Sequence, residues 1–147
     1  MKIITATLNE LEQIANLFND YRQFYRKPSD IEGARTFLRE RIENNQSVIF
    51  MAISPEGKPA GFTQLYPSFS SVSMKRLWVL NDLYVSPDFR RMGVGELLIE
   101  RARQLGKETN ASALMLETEV SNTSAQALYD KTGFERSTDY YVYYLSV

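Results

Sequence analysis

Apolar residues recur along the chain at two periods, and the switches between them predict its elements. Lys2-Ile3-Ile4-Thr5-Ala6 has the composition of a short first strand. Thr7-Leu8-Asn9-Glu10 follows with the Thr-x-x-Glu spacing that lets side chains and backbone amides cap each other at a helix start. Leu11, Ile14, Ala15, Leu17, Phe18 and Tyr21 then fall three or four apart, which predicts an amphipathic helix. After Lys27-Pro28, Ser29-Asp30-Ile31-Glu32 repeats the capping spacing. It opens a second helix with Ala34, Phe37, Leu38 and Ile42 on one face, ending near Asn44-Asn45.

The period then changes. Ser47 to Ile53 and Ala60 to Tyr66 are strand-like runs, and Ser54-Pro55-Glu56-Gly57-Lys58 between them is rich in turn formers, so the three segments predict a hairpin. A longer apolar strand, Leu77 to Val85, stops at Ser86-Pro87-Asp88. The segment after Gly95 carries Leu97, Leu98, Ile99 and Ala102 at helical spacing and leads to a strand over Ala113 to Thr118, a strand-loop-helix-strand crossover. A short helix from Asn122 to Lys131 is expected to end at Gly133. Tyr140 to Leu145 closes the chain as a strand whose residues are apolar on both faces, which predicts burial on both sides of a sheet or at a subunit contact. No repeat or linker divides the 147 residues, so one domain over 1–147 is expected.

Composition removes whole classes of chemistry. The chain has no cysteine and no histidine. A disulfide scaffold, a cysteine nucleophile, a Ser-His-Asp triad and nearly every zinc or haem site are thereby excluded, and no metal is expected. Acid and base roles fall to Asp, Glu, Tyr, Lys or water. A net charge of −1 gives no bulk attraction to nucleic acid. No apolar run reaches the roughly 20 residues of a membrane span, and Met1 to Thr5 lacks the form of a secretory signal. The expectation is a cytoplasmic protein without nucleic-acid or membrane partners.

Candidate chemistry concentrates at Arg90-Arg91-Met92-Gly93-Val94-Gly95, between an apolar strand and an amphipathic helix. A helix start there offers unpaired N–H groups and a positive dipole end, glycine lets a ligand approach the backbone, and guanidinium groups stand beside it. That arrangement suits a pyrophosphate. Read alone, the same fragment equally fits a tight solvated turn. A phosphate-binding Walker loop is excluded because no Gly-Lys-Ser/Thr follows. A dinucleotide fingerprint would need a third glycine where Leu98 stands, although Glu117 lies at a suitable distance for its acidic residue.

Arg90-x-x-Gly93-x-Gly95 resembles the Q/R-x-x-G-x-G/A acetyl-CoA loop of the GNAT superfamily of N-acetyltransferases. Downstream, Asn122-Thr-Ser-Ala125-Gln-Ala-Leu128-Tyr129-Asp-Lys131-Thr-Gly133-Phe134 is similar to that superfamily's N-x-x-A-x-x-x-Y-x-K-x-G-F segment. The order of elements agrees too, so the resemblance covers nearly the whole chain. It implies an α/β (α+β) fold: a mixed, mostly antiparallel central sheet of six to seven strands with a splayed parallel pair, flanked by about four helices. It also implies acetyl-CoA as cofactor. The backbone of Leu83, Tyr84 and Val85 would pair with the pantetheine arm and polarise the thioester carbonyl. Arg90, Arg91, Met92, Gly93, Val94, Gly95 and Glu96 would hold the pyrophosphate, and Asn122, Ala125, Tyr129 and Lys131 would complete the cofactor contacts.

For catalysis the resemblance makes Tyr129 the general acid. A phenol of pKa near 10 can protonate a departing thiolate whose conjugate acid has a pKa of about 8.5, if the site favours phenolate. Periodicity by itself reads Ala125, Leu128, Tyr129 and Thr132 as the core stripe of a short helix, and Asn122 as its N-cap. Many relatives place a Glu base on the strand before the loop, where this chain has Asn81 followed by Asp82. Neighbours on a strand point to opposite faces, so both reach one cleft only across a bulge. Asp82 is thus a base, a cation anchor, or a structural carboxylate paired with an arginine.

For the acceptor, Tyr21, Phe24, Tyr25, Asp30 and Glu32 suggest an aromatic and acidic wall suited to a cationic amine. Tyr25, Glu32, Tyr66 and Asp82 are the substrate candidates, against the plainer reading of core aromatics and a capping glutamate. Tyr25-x-x-Pro28-Ser29-Asp30 and Gln64-Leu65-Tyr66-Pro67 are similar to a subgroup of histone- and polyamine-acetylating enzymes of the Hpa type, whose members pair through C-terminal strands. The resemblance therefore implies a homodimer acting on a small amine, probed against two alternatives: a non-catalytic acyl-CoA-binding sensor and a protein lysine or N-terminal acetyltransferase.

Overall fold

The computed structural model describes all 147 residues, which fall into two compact units, 1–117 and 118–147. In the first, strand β1 (Lys2–Thr5) leads into helices α1 (Leu11–Phe24) and α2 (Ile31–Glu43), then strands β2 (Val48–Ile53), β3 (Pro59–Ser70) and β4 (Lys75–Val85), helix α3 (Val94–Glu108) and strand β5 (Ala113–Met115). The second contains helix α4 (Thr123–Lys131). None of the helices is long and apolar enough to cross a membrane.

The expected capping box at Thr7 is present. Glu10 Oε2 accepts from Thr7 N at 2.8 Å and Thr7 Oγ1 accepts from Asn9 N at 3.2 Å, closing a short 3-10 turn that feeds α1. At α2 the cap differs from the expected Ser29. Asp30 is the N-cap, its Oδ1 accepting from Gly33 N at 2.9 Å. The reason lies on α1, where the buried Asn19 donates to Ser29 Oγ at 3.0 Å and accepts from Asp30 N at 2.8 Å. Ser29 is held in that contact, and the cap moves one residue on.

The strands form one sheet in the order β1-β2-β3-β4-β5, antiparallel except for the last pair. Alternation divides its side chains between two layers. Ile49, Met51, Phe62 and Tyr84 pack with Ile14, Leu17, Phe18, Ala34 and Leu38 of α1 and α2. The other face presents Phe50, Leu65, Trp78 and Leu80, and α3 packs on β2, β3 and β4 through Val94, Leu98, Ile99 and Ala102, all buried. Two contacts tie α3 to that face: Arg101 lies 4.4 Å above the Phe50 ring, and Trp78 Nε1 donates to Thr109 Oγ1 at 2.8 Å. Each large apolar side chain so buried contributes about 1.5–3 kcal/mol, so the sheet is held between two cores.

The mixed α/β class, the splayed parallel pair and the four helices agree with the sequence expectation, while the strand count does not. The sheet has five strands rather than six or seven. β5 is confined to Ala113–Met115, short of the expected Thr118, because its ladder with β4 stops there. Tyr140 to Leu145 forms no strand and its side chains are 64–91% exposed. High β-propensity does not make a strand unless another backbone edge takes up its N–H and C=O groups.

Candidate active site

The end of β4 shapes the site. β4 pairs with β5 only at Leu77–Ala113, Trp78–Leu114 and Val79–Met115, whereas its ladder with β3 runs on to Val85. Beyond Val79 the two parallel strands part, and the Leu80 to Val85 backbone is paired on its β3 side alone. The β3–β4 ladder also slips once: Leu65 pairs with Leu80 but Gln64 pairs with Asp82, leaving Asn81 as an extra, bulged residue. This is the bulge that sequence reasoning needed for Asn81 and Asp82 to cooperate.

The slip carries Asp82 onto the face of Gln64, Phe62 and Tyr84, beneath α1. Asp82 is 4% exposed and its carboxylate is surrounded by donors. Gln64 Nε2 donates to Oδ2 at 2.6 Å, Asn81 Nδ2 donates to Oδ1 at 3.0 Å, and the Tyr21 hydroxyl supplies a third bond. All three donors are neutral, and the structure does not realise an arginine partner for this carboxylate. Burial pushes its pKa up from the ordinary carboxylate value, while the bonds from Gln64, Asn81 and Tyr21 pull it back. A desolvated carboxylate that lacks a countercharge suits either proton abstraction or an ammonium ligand. The same charge acts on Tyr66, whose phenol is pushed up to about 12, first by burial and then by Asp82, with Arg41 of α2 opposing.

Aromatic rings connect this carboxylate to the strand end. Tyr21 meets Phe62, Tyr84 and Tyr25 with ring centroids 5.9, 6.3 and 5.1 Å away. Tyr25 in turn meets Phe24 at 5.3 Å. Burial raises the Tyr84 pKa, and so does Asp20, against the influence of Arg90. Tyr25 and Asp82 thus meet Tyr21 directly, Asn81 bonds Asp82, and Tyr66 feels its charge. Glu32 stands apart, since its exposed carboxylate pairs with Arg35, which also binds Glu12.

Past β4, a 3-10 turn at Pro87–Phe89 leads to the arginine-glycine segment. Arg90 Nε donates to Val85 O at 3.0 Å, and its guanidinium lies 5.7 Å from the Phe24 ring and 5.8 Å from that of Tyr84. These contacts tie the start of the arginine-glycine segment to the end of β4. Arg91 and Gly93 have φ of 62° and 78°, so the chain turns through two left-handed positions before α3. Gly93 is the N-cap and supplies no side-chain bond, and the first intrahelical bond runs from Leu97 N to Gly93 O. The amides of Val94, Gly95 and Glu96 therefore point out of the helix start without a side-chain cap. That donor set, with exposed Arg91 beside it, fits the diphosphate of a coenzyme A.

In the second unit, Asn122 Oδ1 accepts from Ala125 N at 3.2 Å and caps α4. Tyr129 is partly buried, with the Phe134 ring 5.7 Å away at 67°, and Lys131 is exposed in the last turn.

Sequence reasoning missed the roles of three residues. Gln64 and Ser47 belong to the Asp82 network, Ser47 Oγ donating to Gln64 Oε1 at 2.8 Å. Tyr21, offered by the sequence both for the aromatic wall and for the core, bonds Asp82 while packing on Phe62 and Tyr84. Gly61 faces Val85 so closely that a Cβ would stand 2.6 Å from Tyr84 O. A glutamine inside the apolar run Ala60 to Tyr66 was a visible signal, whereas Gly61 became meaningful only with the register.

The sequence model of the acetyltransferase (GNAT) family matches residues 12–134. An N-acetyltransferase of Bacillus subtilis described as uncharacterized, YhfO, is 46% identical over 147 residues, covering 100% of this chain and 98% of that protein. The thialysine N-ε-acetyltransferase of Caenorhabditis elegans is 29% identical over 142 residues, 93% of this chain and 84% of the relative. A crystal structure described as that of a probable acetyltransferase superposes with a TM-score of 0.95 at 42% identity, covering 100% and 98% of the two chains.

Proposed function

The chain belongs to the acetyltransferase (GNAT) family and is an acetyl-CoA-dependent N-acetyltransferase; we propose that its acceptor is the primary amine of a small cationic metabolite. One observation carries the choice of acceptor. Asp82 is a buried carboxylate that only neutral groups surround, next to the rings of Tyr21 and Tyr66. Charge and cation–π attraction both favour an ammonium there. The name of the Caenorhabditis relative, a thialysine ε-amine acetyltransferase, supports the same class of acceptor.

Acetyl-CoA supplies the acetyl group as a thioester, and coenzyme A is the thiolate leaving group. The residues of this chain divide the remaining work. Amides of Val94, Gly95 and Glu96 bind the diphosphate, assisted by Arg91, and the one-sided backbone of Leu83 to Val85 takes up the pantetheine amide groups as an added strand would. Arg90 fixes Val85 for that purpose. Asp82 binds the acceptor ammonium and receives its proton, directly or through water, with Asn81 steadying the carboxylate. The Tyr129 hydroxyl gives a proton to the departing sulfur, and Asn122, Ala125 and Lys131 serve the cofactor. The two units act as one acetyltransferase domain, a reading supported by the family match across both. The exposed apolar run Tyr140 to Leu145 supports a homodimer in solution, which light scattering tests.

Thiol release from acetyl-CoA, measured against a panel of polyamines, thialysine, amino acids and peptides, tests the acceptor. Turnover is expected with small diamines and lost to background in Tyr129→Phe, which still binds acetyl-CoA, while Asp82→Asn raises KM for the amine. Turnover confined to peptides would refute the small-amine reading. Binding of coenzyme A without turnover on any amine would make the chain a sensor.

A further inference from the structure

Between β2 and the β4 bulge lies a line of polar side chains in an otherwise apolar layer. It begins at Ser47, whose hydroxyl donates to Gln64 Oε1 at 2.8 Å, passes through Gln64 Nε2 to Asp82 Oδ2 at 2.6 Å, and ends where Asn81 donates to Asp82 Oδ1 at 3.0 Å. We propose that Gln64, fixed in turn by Ser47, is a positioning residue that aims the Asp82 carboxylate at the acceptor amine. This rests on the reading of Asp82 as the group that meets that amine.

The geometry argues for the role in three steps. Gln64 is 0% exposed and pairs directly with Asp82 across the ladder, so its side chain has no water to turn to. An amide has one donor end and one acceptor end, and an ionised carboxylate only accepts, so the NH₂ must face Asp82 and the carbonyl must face away. A buried carbonyl left unpaired is destabilising, and the Ser47 hydroxyl satisfies it. The serine therefore locks the amide in the one orientation that serves the carboxylate. Asn81 is exposed and holds the other oxygen, so the plane of the carboxylate is fixed from both sides.

The other groups facing this carboxylate do not substitute for Gln64. Tyr21 of α1 gives a hydroxyl bond, Tyr66 of β3 has a phenol pushed up to about 12 that stays neutral through the working range, and Arg41 of α2 acts on Tyr66. Gln64 heads the bonds that favour the ionised form of Asp82 against burial. Its removal shifts the balance toward the protonated acid.

The test uses the full chain and two readouts. Gln64→Met keeps the volume and removes both hydrogen bonds; Ser47→Ala keeps Gln64 but frees its amide. The carboxyl-carbon NMR signal of Asp82, assigned by its loss in Asp82→Asn, is titrated in each. In Gln64→Met the midpoint is expected to rise by about one pH unit, as loss of a hydrogen bond to a charged group implies, and Ser47→Ala is expected to move it in the same direction by less. Turnover with thialysine and spermidine should fall most at low pH and recover as pH rises. A midpoint in Gln64→Met within experimental error of the parent overturns the proposal. If the midpoint moves while Asp82→Asn retains parental turnover, the role of Asp82 in the reaction fails, and positioning by Gln64 fails with it, a result distinct from an unmoved midpoint.

Discussion

Replacing Gly61 by alanine should damage the molecule at one defined place. Gly61 pairs with Val85, and an added Cβ would stand 2.6 Å from Tyr84 O and 3.2 Å from Val85 Cα, both backbone atoms with no rotamer to change. Carbon contacts are comfortable at about 3.5 Å, so β3 and β4 must separate there by about 0.9 Å. Overpacking of this kind costs about 1–3 kcal/mol. Restricting the unfolded chain by Gly→Ala returns about 0.4–1 kcal/mol, which leaves a net loss of about 1–2 kcal/mol. For a chain of this length that lowers Tm by about 2–8 °C. Gly106→Ala is the matched control: its Cβ meets Leu114 Cδ2 at an ordinary 3.7 Å, inside α3. Glycine in a helix interior costs about 0.8–1.0 kcal/mol relative to alanine, so this variant should melt higher than the parent. Because the strain in Gly61→Ala falls on Tyr84 and Val85, its affinity for coenzyme A should also drop, while Gly106→Ala should bind as the parent does. Thermal melts by circular dichroism and calorimetric titration with coenzyme A decide the matter. A Gly61→Ala protein with parental Tm and affinity would show that the β3–β4 approach is looser than described, and would remove the argument that the strand end is held for the cofactor.

The raised pKa of Asp82 makes a signed prediction about stability. The folded state resists ionising this group, so its contribution is fully present below the unfolded value of about 3.9 and is lost as pH rises through the folded value. Urea denaturation from pH 4 to 8 should therefore show the stability of the parent falling relative to Asp82→Asn across that window; a constant difference would contradict it. Arg90→Lys keeps the charge but loses the Nε–H bond to Val85 O and the planar face over Phe24 and Tyr84. Loss of one such bond should weaken coenzyme A binding about fivefold in calorimetric titration with little change in helix content. Asn122→Ala removes the cap of α4 and should cost that helix about 1 kcal/mol, read as faster amide exchange at Ala125 with the β2–β3 amides unchanged.

What the sequence disclosed follows from the range of the forces involved. Helices α1, α2, α3 and α4 were legible because apolar spacing and capping chemistry are encoded within a few residues. Thr7 with Glu10 and Asn122 with Ala125 are bonds between near neighbours. The Ser29 cap was misplaced because the deciding partner, Asn19, lies ten residues away on another helix. The terminal tyrosines announced a strand because composition reports propensity, while a ladder depends on a partner edge that composition does not name. Arg90 illustrates the same division. The motif places it beside the helix start, whereas its bond to the Val85 carbonyl and the rings of Phe24 and Tyr84 beside it are set by the fold.

The slip at Asn81 shows why the site was the least legible part. In a regular strand Trp78, Leu80, Asp82 and Tyr84 would share one face. Trp78 and Leu80 are needed on the side of α3, and Tyr84 is needed on the side of α1 with Phe62 and Phe18. One strand serves both cores only by inserting a residue between Leu80 and Asp82. A shift of one residue reverses every side chain beyond it, so the insertion brings Tyr84 to its core and carries Asp82 onto the face of Gln64 as well. Without it Asp82 would face Thr63 and the apolar layer of α3, and Asn81 would face Gln64. The bulge that packs the fold is thus the same feature that assigns the carboxylate its neighbours. Two residues with similar polarity and adjacent numbers exchange roles according to the demands of cores on opposite sides of the sheet.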